Sequence, residues 1–515
     1  MAEAVQPVET DVLVVGGGIN GAGIARDLAG RGARVLLVEQ GDLAQHTSVA
    51  STKLIHGGLR YLEYRRFDAV RKALQEREIL LKIAPHLVRP MRFVMPHVAA
   101  LRPAWRVRAG LLLYDYLGRP TTLKGSGPID LRRHFASAPL VNGLSRGFVY
   151  SDASVDDARL VVLNALGAQE HGATVMTRTQ LVAAQREGAL WDARLVDAAG
   201  RVTVVNARAI VNAAGPWADV LPVEQMTPPH AIRRVKGSHI VTRRLFEHGC
   251  AYILQNDDCR MVFAIPWQHD YTLIGTTEID CPDWDADAQM QISEQEIEYL
   301  CASVNRYFRN PITKDDIVWS YAGVRSLIDE EVDHPRAVAR DDDLHLDCNG
   351  AALLSVFGGR LTTYRRLAEE AADLLAAPLR LHKSAWTDSV PLPGGDIHHA
   401  DFERFALDIQ ARYRWLPIPL ARRYAHAYGT RINDLLANAH SLDALGKELT
   451  PNLYEAEVRY LVDREWARSA HDVLWRRTKL GLQAGPQHVA RLAAWIDVHA
   501  SAMTHRPGAV PTVMH

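Results

Sequence analysis

Asp11–Val15, DVLVV, is a short apolar run that stops at Gly16, and GGGINGAGIARDLAGRG follows with helical spacing through Ile19, Ala22, Ile24, Ala25 and Leu28. This pattern reads as a strand, a glycine turn and a helix. Gly16, Gly18 and Gly21 stand in GxGxxG order. In that order the first glycine permits the turn, the second lets a pyrophosphate approach the backbone, and the third lets helix pack tightly on sheet. The helix N-terminus then points at the anion. A second apolar run, RVLLV over 34–38, ends at Glu39, where an acid at a strand's end can accept adenosine ribose hydroxyls. The unit predicts a Rossmann-like α/β domain with an ADP-carrying ligand. NAD and FAD both carry ADP, so the unit alone does not separate them.

Farther along, ARAIVNAAGPW (207–217) is another apolar strand that ends in small residues and a glycine turn. Such a strand can close over the ADP moiety; an ordinary buried strand reads the same. At 515 residues, 48% hydrophobic, the chain exceeds one core and predicts two or three globular domains. With 59 basic and 60 acidic residues there is no global field for nucleic acid, and none is expected as a partner. Cys250, Cys259, Cys281, Cys301 and Cys348 are scattered, odd in number and form no CxxC. That argues against a disulfide framework, a zinc site or an iron–sulfur cluster, so no metal is expected and a reducing compartment fits. MAEAVQPVETDVLVVGGG lacks a basic region followed by an apolar core. No segment approaches about 18 uninterrupted apolar residues, so neither a targeting signal nor a spanning helix is expected.

The stretch STKLIHGGLRYLEYRR (51–66) sets a His, two glycines, an Arg and a Tyr side by side. Paired glycines let backbone pass close to something bulky, and His, Arg and Tyr are common groups of a site that moves protons and holds anions. A loop entering a surface helix, with Arg60, Arg65 and Arg66 solvated, explains the same letters.

GGGINGAGIARD, STKLIHGGLRYLE, PHLVRPMRF, YSDASVDDARLV, NAAGPW, KGSHIV, AYILQN, IGTTE, DDIVWSYAGVR, LLSVFGGRLTTYRRLAE and DVLWRRTKLG occur in that order. With these segments the chain closely resembles, over nearly its whole length, the FAD-dependent glycerol-3-phosphate dehydrogenases within the glycine oxidase and D-amino-acid oxidase group. The resemblance implies an FAD domain interleaved with an α+β substrate domain over 1–390, then an all-helical cap over 391–515. It implies hydride removal from C2 of glycerol 3-phosphate to the flavin, and electrons passed to a membrane quinone.

By the same resemblance His56 and the Gly57–Gly58 turn lie against the isoalloxazine, while Arg60 and Tyr61 face the substrate. His239 in KGSHIV, beside Lys236 at the start of a strand, is a candidate base, because a near-neutral imidazole can accept a hydroxyl proton. A lone His beside a strand is also a common structural residue. Arg325, after a Gly that follows a strand, can clamp an oxyanion bidentately; a surface or interdomain ion pair is the blander reading. Gly358–Gly359 lets the following N–H groups approach the flavin's pyrimidine end, and Thr276 in IGTTE adds a hydroxyl. The resemblance adds Ser51, Ala214, Gly215, Leu361 and Thr362 as cofactor contacts. Two departures stand out: the family commonly has Lys where this chain has Arg360, and Pro where it has Ser326. Arg360 keeps the charge but not the compact ammonium, so the family's phosphate geometry does not carry over unchanged. LAQHTSVAS puts His46 near the expected flavin, as a loop histidine or as a covalent attachment point.

TDSVPLPGGD (387–396) separates two textures, and only helical patterns follow, as in YEAEVRYLVDREW, where Val458, Leu461, Val462 and Trp466 share a face. WRRTK (475–479) belongs to this cap, and THRPGAVPTVMH reads as a loose tail. Arg89, Arg92, Arg102, Arg106 and Arg108 occur with no acid between them, around Trp105 and before AGLLLYDYLG. This suits peripheral attachment to the cytoplasmic face of a membrane; a buried helix with its arginines paired elsewhere is the alternative. A homodimer is compatible with the sequence. Three rival functions remain: a glycerol-3-phosphate oxidase using oxygen, an amine or amino-acid oxidase, and a flavin-binding sensor or scaffold without turnover.

Overall fold

The computed structural model describes residues 6–504, apart from 99, 225, 227–231, 283, 286–289 and 329–341; the loose tail falls outside them. Val8–Val15 pairs in parallel with Val35–Glu39 on one side and Val202–Asn212 on the other. Thr174–Thr177 and Ala352–Gly358 extend the parallel run at its two edges. Their central segments, 12–15, 35–38 and 209–211, are apolar and buried, as a parallel sheet covered on both faces requires. Ile19–Gly30 packs against Asp157–Glu170 and Tyr364–Leu379. An antiparallel meander, Thr179–Glu187 and Leu190–Asp197, joins the sheet at Val202–Asn212. Its Trp191 is fully buried with Leu13, Val38 and Ile210, and donates its indole N–H to Ala352 O at 2.9 Å.

The second sheet is mixed and has ten strands. Its strand Ile232–Arg243 is flanked by Tyr271–Gly275 and Ile317–Ile328, both antiparallel to it. The helix Glu294–Asn305, capped by a Ser293/Glu296 box, buries Leu300 and Val304 against Ile240, Tyr252 and Ile274. Both sheets belong to one compact unit, 1–392; a second comprises 393–515. The interleaving expected from the resemblance is visible in the chain order, since strands of the two sheets alternate along the sequence.

In the second unit Val458, Leu461 and Val462 enter a core with Tyr424, Tyr428 and Leu492. Trp466 does not extend that helical face: the helix Glu455–Arg464 ends before it, and Trp466 has φ 57°. The unit is helical except for a two-stranded ribbon, Glu448–Thr450 with Leu453–Tyr454, too short for any alternation to announce it. The WRRTK arginines are buried: Arg477 donates to Glu465 O, and Arg476 pairs with Asp472.

The helix Ala104–Leu117 turns Leu111, Tyr114 and Leu117 inward and exposes Trp105, Leu112 and Tyr116, at 71%, 51% and 64% of full accessibility. Spacings of seven and four put the exposed three on one face. The arginines around it are not a free patch. Arg102 pairs with Glu63 at 2.8 Å, Arg108 donates to Ser126, and Arg92 donates to Lys124 O, Gly125 O and Ser151 Oγ. Among the described residues no helix is long and apolar enough to cross a membrane.

The carboxylate of Glu457, wholly buried, accepts from Tyr428 Oη and from both terminal nitrogens of Arg423, each at 2.6 Å. Removing one partner of a buried ion pair strands the other. Glu457→Ala is therefore expected to destabilise this unit by about 3–5 kcal/mol in denaturant titration, and a loss below about 1 kcal/mol contradicts the pairing.

Candidate active site

The carboxyl ends of the parallel strands and one face of the mixed sheet open on a single cavity of about 1310 Å³. Common small-ligand sites occupy roughly 300–1,000 Å³, so there is room for a dinucleotide with a small substrate. Gly16, Gly18, Glu39, Ser51, His56, Gly58, Arg60 and Tyr61 line it. So do Ala214, Gly215, His239, Thr276, Arg325, Gly359, Arg360, Leu361 and Thr362. Of the residues singled out above, Gly21 and Gly57 do not.

The three glycines divide the work of the turn. Gly16 has φ 117°, and a Cβ there would meet Ala213 O at 2.4 Å; a Cβ on Gly21 would meet Gly16 O at 1.9 Å. Those two are required by the protein's own packing. A Cβ on Gly18 would meet only Ser48 Oγ, at 3.2 Å, so backbone packing alone does not demand glycine there. The open space it leaves is part of the cavity. Glu39 accepts from Gly17 N at 2.7 Å through one carboxylate oxygen and from Gly41 N at 2.8 Å through the other.

Ser51 is turned aside: its hydroxyl donates to Asp157 at 2.8 Å and accepts from Lys53 N. Ser48 stands under the turn instead, accepting from Ile19 N at 3.0 Å. Gly57 is buried, its N–H donating to Tyr114 Oη at 2.7 Å; that hydroxyl donates to Asp152, which Arg77 meets at 2.7 Å. His46 lies in a loop with its ring against Trp217, centroids 4.8 Å apart.

On the mixed sheet, alternation decides which side chains face the cavity. Val235, Gly237 and His239 do. Lys236 and Ser238 point the other way, to Glu296 at 2.8 and 2.7 Å. His239 and Lys236 therefore sit mid-strand in Ile232–Arg243. Arg325 likewise lies within the strand Ile317–Ile328, where the sequence reading put it beyond a strand, after a glycine. The strand's glycine, Gly323, makes room for Ala50 and does not end it. His239 Nε2 is 2.9 Å from Thr52 Oγ1, and its ring stacks on Tyr321 with centroids 4.8 Å apart.

The Arg360 guanidinium lies over the Tyr61 ring at 4.0 Å from its centroid. Arg60 and Arg325 both reach Glu278, at 2.8 and 3.4 Å. Tyr321 and Glu278 were missed in the sequence, although simple alternation points to both: Tyr321, Gly323 and Arg325 are i, i+2, i+4, and Glu278 is two past Thr276.

Residues 11–365 match the model of the FAD dependent oxidoreductase family, and 385–506 match the C-terminal domain of alpha-glycerophosphate oxidase. The chain belongs to the FAD dependent oxidoreductases. It is 50% identical over 502 residues to the glycerol-3-phosphate dehydrogenase of Pseudomonas aeruginosa, covering 96% of each chain. It is 48% identical over 493 residues to the aerobic glycerol-3-phosphate dehydrogenase of Escherichia coli, covering 94% of this chain and 97% of the relative. Against D-erythritol 1-phosphate dehydrogenase of Brucella abortus the identity is 47% over 497 residues, with 96% and 98% covered. The glycerol-3-phosphate dehydrogenase from Bacillus halodurans, solved in complex with FAD, superposes with a TM-score of 0.75 at 26% identity, covering 96% of this chain and 90% of that one.

FAD is this oxidoreductase's cofactor, and its own residues fit it: the open space at Gly18, the Glu39 carboxylate, and a cavity large enough for flavin and substrate together. The histidines beside it are uncharged. Burial, aided by Arg360 and Arg325, pulls His56 from 6.5 down to about 4. Burial, then Lys53 and Arg325, takes His239 well below its ordinary value. Away from the cavity, burial and then Arg159 bring His86 down to about 3. Asp152 moves the other way: burial outweighs Arg77 and Tyr114 and pushes it up to about 6.

A histidine whose folded pKa is depressed stabilises the fold fully above its unfolded value and loses that contribution as pH falls through it. The unfolded chain then binds the extra proton, so stability rises with pH in that window. Asp152, Asp27 and Glu76, all raised by burial, oppose this between their unfolded and folded values, but burial also lowers His134 and His248, so five imidazoles stand against three carboxyls. The FAD-loaded oxidoreductase should therefore melt at progressively lower temperature as pH drops from about 6.5 to about 5, each net proton costing about 1.4 kcal/mol per pH unit. His86→Gln should make the decline shallower by one proton. A melting temperature that is flat or rises over this range contradicts the neutral assignments.

Proposed function

We propose that the oxidoreductase acts on sn-glycerol 3-phosphate, converting its C2 hydroxyl to the ketone of dihydroxyacetone phosphate and passing electrons on to a membrane quinone. The observation that carries this reading is the gathering of Arg60, Arg325 and Arg360 on the wall of the cavity that also contains the glycine turn. Identities of 50% and 48% to enzymes named for this substrate support it. FAD, when bound, supplies the hydride acceptor. The chain's own part is to hold a phosphate dianion, orient the carbon and take the hydroxyl proton.

Arginine suits the first task, since its planar fork meets two oxygens at once. Tyr61 keeps the Arg360 plane from turning by stacking against it. The proton acceptor in this reading is the neutral pair His56 and His239, the second held by Thr52 on one nitrogen. Both are uncharged at neutral pH and so able to accept. Binding energy from the phosphate is thereby converted into orientation at the reacting carbon.

A second reading has its own support, the 47% identity to a D-erythritol 1-phosphate dehydrogenase. A four-carbon polyol phosphate offers the same handle on a longer chain. The deciding experiment is kcat/KM for glycerol 3-phosphate, D-erythritol 1-phosphate and glycerol, with a ubiquinone analogue as acceptor and peroxide followed in air. The expected order puts glycerol 3-phosphate first and glycerol far last. Arg325→Ala is expected to cost about 2–4 kcal/mol of transition-state stabilisation on the phosphorylated substrate alone. Preference for the four-carbon substrate selects the second reading, and peroxide formation as fast as quinone reduction selects an oxidase.

Delivery to a quinone asks for contact with lipid at the inner face of the cytoplasmic membrane. The apolar face Trp105, Leu112 and Tyr116 supports peripheral attachment there better than the arginines around it, most of which hold internal partners. Replacing those three side chains together by Ser is expected to move the protein from the membrane to the soluble fraction while reduction of a soluble dye continues. Unchanged sedimentation with membranes would put the attachment elsewhere.

A further inference from the structure

The strand Tyr271–Gly275 ends in the segment Thr276–Thr277–Glu278, whose middle residue is clamped from below. Thr277 accepts from Ser238 N at 3.0 Å and donates to Glu296 at 2.7 Å. Burial raises Glu296, but Lys236, the Ser293 N–H, Ser238 and Thr277 outweigh that and hold it at about 2, so the anchor is a charged carboxylate. With Thr277 pinned on that side, alternation turns Thr276 and Glu278 into the cavity, which both line.

There Glu278 Oε2 meets Arg60 at 2.8 Å and Oε1 meets Arg325 at 3.4 Å. Arg60 comes from the short helix Arg60–Glu63 that follows the Gly57–Gly58 turn, and Arg325 from the mixed sheet, so one carboxylate ties two separate elements. Each guanidinium uses one terminal nitrogen on Glu278, and Arg60 also bonds Tyr64, which still leaves N–H groups of both for another acceptor. Two cations on one wall repel each other, and each long side chain has rotamer freedom to lose on ordering. We propose that Glu278 is a positioning residue of the anion site: its carboxylate bridges Arg60 and Arg325 and presents both guanidiniums to a single phosphate group.

This rests on the reading that those arginines hold the substrate's phosphate. The three side chains are 36–47% exposed, into the cavity. Ion pairs of that exposure contribute little to global stability, so neutralising Glu278 should leave a folded protein. The opposite role is also physically sensible, since a carboxylate beside the arginines competes with an incoming anion and weakens its binding. The two roles predict opposite signs.

The test is calorimetric binding of inorganic phosphate to the FAD-loaded wild type, Glu278→Gln and Glu278→Asp, beside KM and kcat for glycerol 3-phosphate and glycerol. Glu278→Gln is expected to weaken phosphate about tenfold, the loss of roughly one charge-assisted contact's worth of ordering. KM for glycerol 3-phosphate should rise by a similar factor with a smaller fall in kcat, glycerol turnover should shift less, and Glu278→Asp should recover part of the loss. Phosphate that binds Glu278→Gln as tightly as wild type, or more tightly, overturns the proposal. So does an equal loss on glycerol, or a wild type that binds no phosphate. A wild type that binds phosphate yet does not oxidise glycerol 3-phosphate sinks the proposed substrate alone, because the ratio of phosphate affinities still reads Glu278.

Discussion

Val8–Val15 lies parallel to Val202–Asn212, with Val12 beside Ala209 and Val15 beside Asn212. No hairpin makes such a pair; the chain has to leave the sheet and come back in the same direction. On its way it lays down strands of the mixed sheet, Leu54–Ile55, Val88–Pro96 and Arg146–Val155. On its return Ala213 arrives against the glycine turn, where its carbonyl occupies the space a Gly16 side chain would need. The glycine turn and the closure of the sheet thus share one contact. The same return brings both sheets to the carboxyl ends of the parallel strands, where ligands of open α/β sheets collect.

A cavity wall that gathers Arg60, Arg325 and Arg360 sets the protonation of whatever is buried beside it. Cations and low polarity both disfavour imidazolium, which is why His56 and His239 stay neutral where an exposed histidine is partly charged near its ordinary pKa. Carboxylates respond in the other direction. Burial raises Glu278, yet Arg325 and Arg60 more than offset it and keep it below the usual carboxylate range. Burial and the cations beside it therefore leave two neutral imidazoles, and the arginines keep one charged carboxylate, in the same wall.

How much of this was legible in the letters depends on the range of the interaction. GxGxxG followed by RVLLVE is local, and it predicted strand, turn, helix and the acid beside them. The positions of His56, Arg60, His239 and Arg325 came from resemblance, and all four line the cavity. Ser51, expected from the resemblance as a cofactor contact, lines the cavity while its hydroxyl donates to Asp157, a partner distant in sequence. The arginine run from Arg89 to Arg108 looked like a patch because its partners, Glu63, Ser126 and Lys124, lie outside the run. Glu278 escaped notice for a related reason. A lone acid after two threonines has no pattern of its own, and its meaning comes only from the two arginines that the fold delivers to it.

The helix Ala104–Leu117 brings these threads together. Its outward face carries Trp105, Leu112 and Tyr116, while its inward face carries Tyr114, whose hydroxyl holds the amide of Gly57. Gly57 adjoins His56 and Gly58, which line the cavity, and the Gly58 turn leads directly into Arg60. A single hydroxyl with Asp152 and Arg77 behind it fixes where that turn begins. The buried Gly57 amide donates to that hydroxyl, and the Asp152 carboxylate accepts from it as well as from Arg77, so losing the hydroxyl takes a partner from both groups at once. The middle of the stretch STKLIHGGLRYLEYRR is thus fixed from behind at Gly57 by Tyr114 and from in front at Arg60 by Glu278, which is why so short a segment, with little regular structure of its own, can present His56, Arg60 and Tyr61 in one orientation.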